Sequence, residues 1–269
     1  MTHRTTTACQ PPHRIRALAN AIHACLGPVP TRQVASAASL ALLLACPLPA
    51  LASDFTVANH HDSGPGSLRQ AVLDANATPG PDTILFDSRV TGTILLTSGA
   101  LTVTDPLTLE GPGRDVLMID GAAVPAILQV EDSLSLAHLK LANAAGNAIN
   151  VSLTDYYTTI RIRDSSIEGS TGSGIFRTWD SAYYHYSYSA LIENTTITGN
   201  GRHGIDIVGG TLSIKDSTFS GNSGNGIDIF GADLSITDSL VSGNAGYGVN
   251  APSPDSLRYS SPFSVPTIA

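Results

Sequence analysis

Asp206 and Asp228 stand in the same four-residue setting, Gly-Ile-Asp-Ile, 22 residues apart. If the chain between them closes one turn of a regular coil, the two carboxylates lie on adjacent rungs of a sheet, about 5 Å apart. Carboxylates that close share a proton, bind a cation such as Ca2+, or divide acid and base roles. Such a pair could serve a polysaccharide lyase or hydrolase acting on pectin- or alginate-like chains. A lyase also needs a base for the sugar-ring proton. Arg177 aligns with Ile207, an inward position, and Arg202 and His203 fall at a corner. The plain alternative is a repeat position facing solvent. His60-His61-Asp62 could hold a metal but reads as an exposed turn, and His138 reads as a surface strand residue.

Aromatic side chains collect elsewhere. Tyr156, Tyr157, Trp179, Tyr183, Tyr184, Tyr186 and Tyr188 include six of the eight tyrosines and the only tryptophan. They fall in two lengthened connections. The regular connection, Ile227 to Leu234, takes 7 residues, whereas Ile149 to Ile160 takes 11 and Ile175 to Ala190 takes 15. Both insertions therefore leave the same corner of adjacent turns. Rings on protruding loops suit stacking on sugar faces or a protein partner. They could equally pack on each other and on the coil wall.

Both constellations depend on a repeat. Ile197-Thr198-Gly199-Asn200 with Gly204-Ile205-Asp206-Ile207 recurs at Phe219-Ser220-Gly221-Asn222 with Gly226-Ile227-Asp228-Ile229. It recurs again at Val241-Ser242-Gly243-Asn244 with Gly248-Val249-Asn250, each step being 22 residues. Within a copy, apolar residues alternate with polar ones, the period of a strand. Stacking the copies gives three inward columns: Leu136, Ile162, Ile192, Ile214 and Ile236; Leu141, Ile167, Ile197, Phe219 and Val241; Ile149, Ile175, Ile205, Ile227 and Val249. Three short strands per turn, with Gly and Asn at corners needing positive φ, predict an all-β coil of three parallel sheets. Asn200, Asn222 and Asn244 would form a ladder inside one corner. Arg163, Glu193, Lys215 and Thr237 form an outward column whose neighbours could pair. The Gly-x-x-x-x-Gly windows lack the Lys-Ser/Thr and the βαβ setting of a phosphate loop.

The pattern resembles the right-handed parallel β-helix family. The coils are expected over residues 87–250, and about eight of them between residues 80 and 250 give a rod on the order of 40 Å long.

Residues 53–86 read as a cap of strand, helix and strand. Phe55-Thr56-Val57 is the first strand. Ser67-Leu68-Arg69-Gln70 has the capping-box spacing, and Leu68, Ala71, Val72 and Ala75 make one apolar stripe. A solenoid end needs such a cover. Asp62 to Asn76, with Pro79 to Ile84 after it, is similar to the start of bacterial surface β-helix proteins marked by a Cys-Ser-Leu-Arg-Glu-Ala motif. Gly66 replaces the Cys and Gln70 the Glu. The resemblance implies export and fold rather than chemistry.

Residues 1–52 contain four Arg, no Asp or Glu, and all three Cys. Arg32, the apolar run Ala35 to Ala45 and Ala50-Leu51-Ala52 read as a secretory signal cleaved between Ala52 and Ser53. The mature chain would carry 10 basic against 22 acidic groups, no Cys and no transmembrane helix. Such a surface excludes nucleic acid as a partner, and a Cys-free chain excludes a disulfide scaffold. Residues 251–269 are a short tail, too short for a barrel. The expectation is a protein exported from a bacterium to its periplasm, surface or medium. It would be adhesive or glycan-binding rather than catalytic, with extracellular polysaccharide or a surface protein as partner and no required cofactor. A truncated autotransporter-like passenger is one form of it.

Overall fold

The computed structural model describes residues 52–152, 157–177, 187–252 and 257–259. Three parallel sheets wind about one core. Sheet A has nine strands, and sheets B and C have seven each. The chain visits A, B and C in turn. It completes seven turns from the strand Asp82–Phe86 to the strand Val249–Asn250 and re-enters sheet A at Leu257–Tyr259. That is one turn fewer than expected, because the two insertions lengthen their turns and the first two turns run 25 and 27 residues rather than 22.

Register follows the 22-residue repeat. Ile162 pairs with Leu136 and Ile192, and Ile214 with Ile192 and Ile236. The columns through Ile197 and Ile205 hold equally. Nearly all these side chains are under 3% exposed. Burial of each stabilises by about 1.5–3 kcal/mol relative to exposure. Each column is continuous, so the core is one stack rather than separate clusters.

Corner glycines serve two purposes, where positive φ alone was expected. Gly169, Gly199, Gly221 and Gly243 form a left-handed column, with φ between 63° and 67°. Gly204 and Gly226 are different. A Cβ on Gly226 would sit 2.7 Å from the Gly248 carbonyl and 2.8 Å from Asn244 Nδ2. The inner ladder of amides explains that closeness. Asn200 Nδ2 donates to Asn222 Oδ1 at 3.0 Å, and Asn222 Nδ2 to Asn244 Oδ1 at 2.8 Å. A second left-handed column at the A–B corner holds His138, Asp164, Asn194, Asp216 and Asp238. Behind it runs a buried hydroxyl ladder: the Thr195 N–H donates to Ser217 Oγ, and the Ser217 N–H to Ser239 Oγ.

The cap is continuous with the solenoid. Strand Asp54–Val57 pairs with Asp82–Phe86 as the edge of sheet A. Helix α1 (Leu68–Ala77) buries Leu68, Ala71, Val72 and Ala75 against the first coil. Only half of the capping box forms. Ser67 Oγ accepts from the Gln70 N–H at 3.1 Å, while the Gln70 side chain turns forward to Asp74. Arg69 does the fastening. It donates to the carboxylate and carbonyl of Asp62 and to the carbonyls of Gly99 and Ala100. Burial opposes charge on Asp62, but hydrogen bonds from Ser98, Arg69 and Thr97 outweigh it and hold the carboxyl well below the usual range.

Candidate functional site

Asp206 and Asp228 are register partners on adjacent strands of sheet C. They continue a column that includes Asn150, Phe176 and Asn250. Their surroundings differ. Asp228 is already saturated: Asn250 Nδ2 donates to one oxygen at 2.9 Å and Asn225 Nδ2 to the other at 3.0 Å. His203 Nε2 lies 3.5 Å from the same second oxygen. For Asp206 the ion-pair partner among the described residues is the distal Arg202 guanidinium, at 4.0 Å. Burial pushes the Asp206 carboxyl upward and Asp228 adds to that, while His203 and Arg202 oppose it.

The corner residues Arg202 and His203 therefore reach the pair, which their sequence position alone does not reveal. His203 Nδ1 accepts the Asn225 N–H at 2.9 Å. That assigns the ring proton to Nε2, facing Asp228. A histidine with one nitrogen occupied and the other protonated has no lone pair free to act as a base. A cation such as Ca2+ takes six to eight oxygen ligands. Asp228 instead faces N–H donors, and no group of three or more His, Cys, Asp or Glu fit to hold a metal occurs among the described residues. His60 Nε2 lies 2.6 Å from the Thr91 carbonyl, and Asp62 belongs to Arg69.

The aromatic set divides. Tyr156, Trp179, Tyr183, Tyr184 and Tyr186 lie outside the described residues, as does the Tyr157 side chain. Tyr188 is not a protruding ring: it is 2% exposed and sits inside the coil. Strand Ser187–Glu193 begins before it, and Tyr188 has the same inward parity as Ala190 and Ile192. The Arg177 guanidinium lies 4.9 Å from its ring centroid. Burial pushes the phenol up strongly, and the same desolvation pulls Arg177 down. Gly210 leaves the room for this ring, since a Cβ there would meet it at 2.7 Å.

The bases of both insertions are clear. Strands Tyr157–Arg163 and Ser187–Glu193, which follow the two insertions in the chain, pair along seven residues. A groove of about 330 Å³ lies on the outer face of sheet A. Thr108, Ser133, Ser135, Thr159 and Arg161 line it, with Pro81 and Pro106 at one side. Sequence reasoning missed this groove, although Thr108, Ser135 and Arg161 share one register column.

Two charged features also differ from expectation. His138 is a corner residue with φ 56°, bridging Glu110 at 2.6 Å and Asp164 at 3.4 Å. The side-chain hydrogen bond from Asn194 chiefly holds the Asp164 carboxyl low, with His138 and Arg163 assisting. Arg163 shares a column with Glu193 and Lys215, yet its ion pairs run to Glu110 and Asp164. Ala52 is exposed, and the Ser53 N–H donates to Asp82. Among the described residues no helix is long and apolar enough to cross a membrane.

These coils match the family described as right-handed β-helix region over residues 119–256, half of the chain. The protein belongs to that family. A solved structure titled "Structure of PL6 family alginate lyase AlyGC" is similar in fold, with 11% identity and a TM-score of 0.45. The match covers 79% of this chain and 38% of that one. No curated protein sequence matches the chain.

Proposed function

We propose that this is an exported β-helix protein that binds extracellular glycan at the corner between sheets C and A. The carrying observation is that the strands following both insertions are adjacent and pair along seven residues. Six aromatic residues, Tyr156, Tyr157, Trp179, Tyr183, Tyr184 and Tyr186, lie in or at the edge of those insertions. The groove on the outer face of sheet A offers Thr and Ser hydroxyls and the Arg161 guanidinium. Aromatic faces with nearby hydroxyl and guanidinium donors complement a sugar chain. Glycan-array binding is expected for the purified protein and is lost in Trp179→Ala/Tyr184→Ala. Arg161→Ala weakens it. Unchanged binding in the double variant excludes this corner, and binding only to a surface protein transfers the site to a protein partner.

A second reading rests on the upward shift of Asp206. A carboxyl that stays protonated at higher pH can act as a general acid, so Asp206 would protonate a leaving sugar oxygen beside saturated Asp228. Release of new reducing or unsaturated ends from pectin or alginate, abolished in Asp206→Asn, is the required result.

A further inference from the structure

Asp82 opens the second strand of sheet A and is 1% exposed. One carboxylate oxygen accepts a single hydrogen bond, from the Ser53 N–H at 2.8 Å. The other, Oδ2, is buried and has no hydrogen-bond partner. A buried carboxylate with one neutral donor is costly. The chain holds Ser53 in place from the other side as well, since the Thr83 N–H donates to the Ser53 carbonyl at 2.8 Å. Ala52, directly before it, is exposed. The residue whose nitrogen is aimed at the unsatisfied carboxylate is also the one that follows Ala50-Leu51-Ala52, the small-x-small cleavage signal.

We infer that cleavage of the Ala52–Ser53 bond completes this site: the released α-ammonium of Ser53 forms a buried ion pair with Asp82 and fastens the first strand to the solenoid. The inference rests on the export reading above. In the step, a signal peptidase adds water across the peptide bond. The Ala52 acyl carbon gains the hydroxyl and leaves with the leader as a carboxylate. The Ser53 nitrogen keeps its electron pair, gains protons and becomes an ammonium. It then has three N–H donors where the peptide had one, enough to supply Oδ2 as well as the first oxygen. The uncleaved chain leaves Asp82 half-satisfied, so the cap strand gains its full hold only after removal of the leader.

Two further acidic groups lie close in the chain: Asp54 follows Ser53 directly, and Asp105, whose carboxylate accepts the Gly80 N–H, precedes Pro106, whose carbonyl accepts the Asp82 N–H. Each favours the ammonium. A free α-amine titrates near pH 7.7–8.0. The proposed ion pair would raise the folded value, so its stabilisation would be complete below that range and lost as pH rises through the folded value.

The test uses the full chain expressed in a bacterium and recovered from outside the cytoplasm. Its intact mass should begin at Ser53. The α-amine of that protein should react with an acylating reagent at pH 7 at least about tenfold slower than a peptide amine, the effect of roughly one pKa unit. Asp82→Asn should restore ordinary reactivity. Should that variant fail to fold, a signal variant that retains Ala52 serves instead, because it moves the amine outward by about 3.5 Å. Its amine should then react normally, and its Tm should fall below that of the Ser53 form at pH 7 and converge with it above pH 9. A mass beginning elsewhere overturns the export-site reading. A mass beginning at Ser53 with an ordinary amine overturns the ion pair alone.

Discussion

At the corner between sheets B and C, successive rungs repeat the same residues: Gly199-Asn200, Gly221-Asn222, Gly243-Asn244. At the corner between sheets C and A, the connections vary from 6 to 15 residues between equivalent strand positions, and the two longest do not repeat the sequence of the regular ones. The first corner packs an amide ladder against its neighbours, so every residue there is constrained by the rung on each side. The second is anchored by a seven-residue strand pair where the two longest connections enter sheet A. A solenoid is stabilised rung by rung. It can therefore lengthen a connection at one corner without disturbing the columns of the other two. Binding surface belongs where repetition has been relaxed, and stability where it has been kept.

Tyr188 is the residue that tests this division most severely. It belongs to the irregular corner by position but to the core by burial. Tyr188→Ala should cost about 3–5 kcal/mol, the range for removing a buried aromatic ring. It should also leave Arg177 without its stacking partner. Chemical denaturation of the purified variant checks it. A cost under about 1 kcal/mol would mean that this corner is not packed and that the contrast is false.

Asn222→Ala attacks the regular corner directly. It removes the acceptor for the Asn200 N–H and Nδ2 and the donor to the Ile197 carbonyl. Unsatisfied buried groups cost about 1–3 kcal/mol each, so a loss near 3 kcal/mol is expected, read from the same denaturation curves. Gly226→Ala follows at about 1–3 kcal/mol, an overpacking cost, because the new Cβ meets carbonyl and amide atoms of the next rung. Both variants should leave glycan binding per folded molecule unchanged.

The sequence carries the fold because the repeat distance sets the register. Once Ile205 and Ile227 are aligned, parallel pairing follows for all three sheets. Tyr188 was legible by parity, being two residues before Ala190 and four before Ile192. Treating the whole span up to Ala190 as a loop hides that signal. The corner role of His138 was legible only by analogy with Asp164 and Asp216, which share its column but not its chemistry. The contacts around Asp228 were not legible. Arg202, His203 and Asn225 come from corner segments whose direction depends on backbone turns rather than on spacing. The groove beside Arg161 is lined by residues from successive turns, a combination that no single-strand pattern records.

The smallest expected effect separates the two aspartates. The Asp206 carboxyl is shifted upward, chiefly by burial and then by Asp228. A group raised on folding favours its protonated form in the native state. Its ionisation therefore lowers stability as pH rises through the unfolded and then the folded value. Asp206→Asn removes that penalty. It should stabilise the protein slightly at pH 7, by no more than about 0.5 kcal/mol for a side chain still in contact with solvent. The gain should vanish below about pH 4, where the native carboxyl is protonated anyway. Asp228→Asn should do the reverse at pH 7, because it replaces a carboxylate that accepts from Asn225 and Asn250. Paired thermal melts from pH 3.5 to 8 distinguish the two. Identical profiles would show that the column treats its two carboxylates alike, removing the basis for assigning acid chemistry to either.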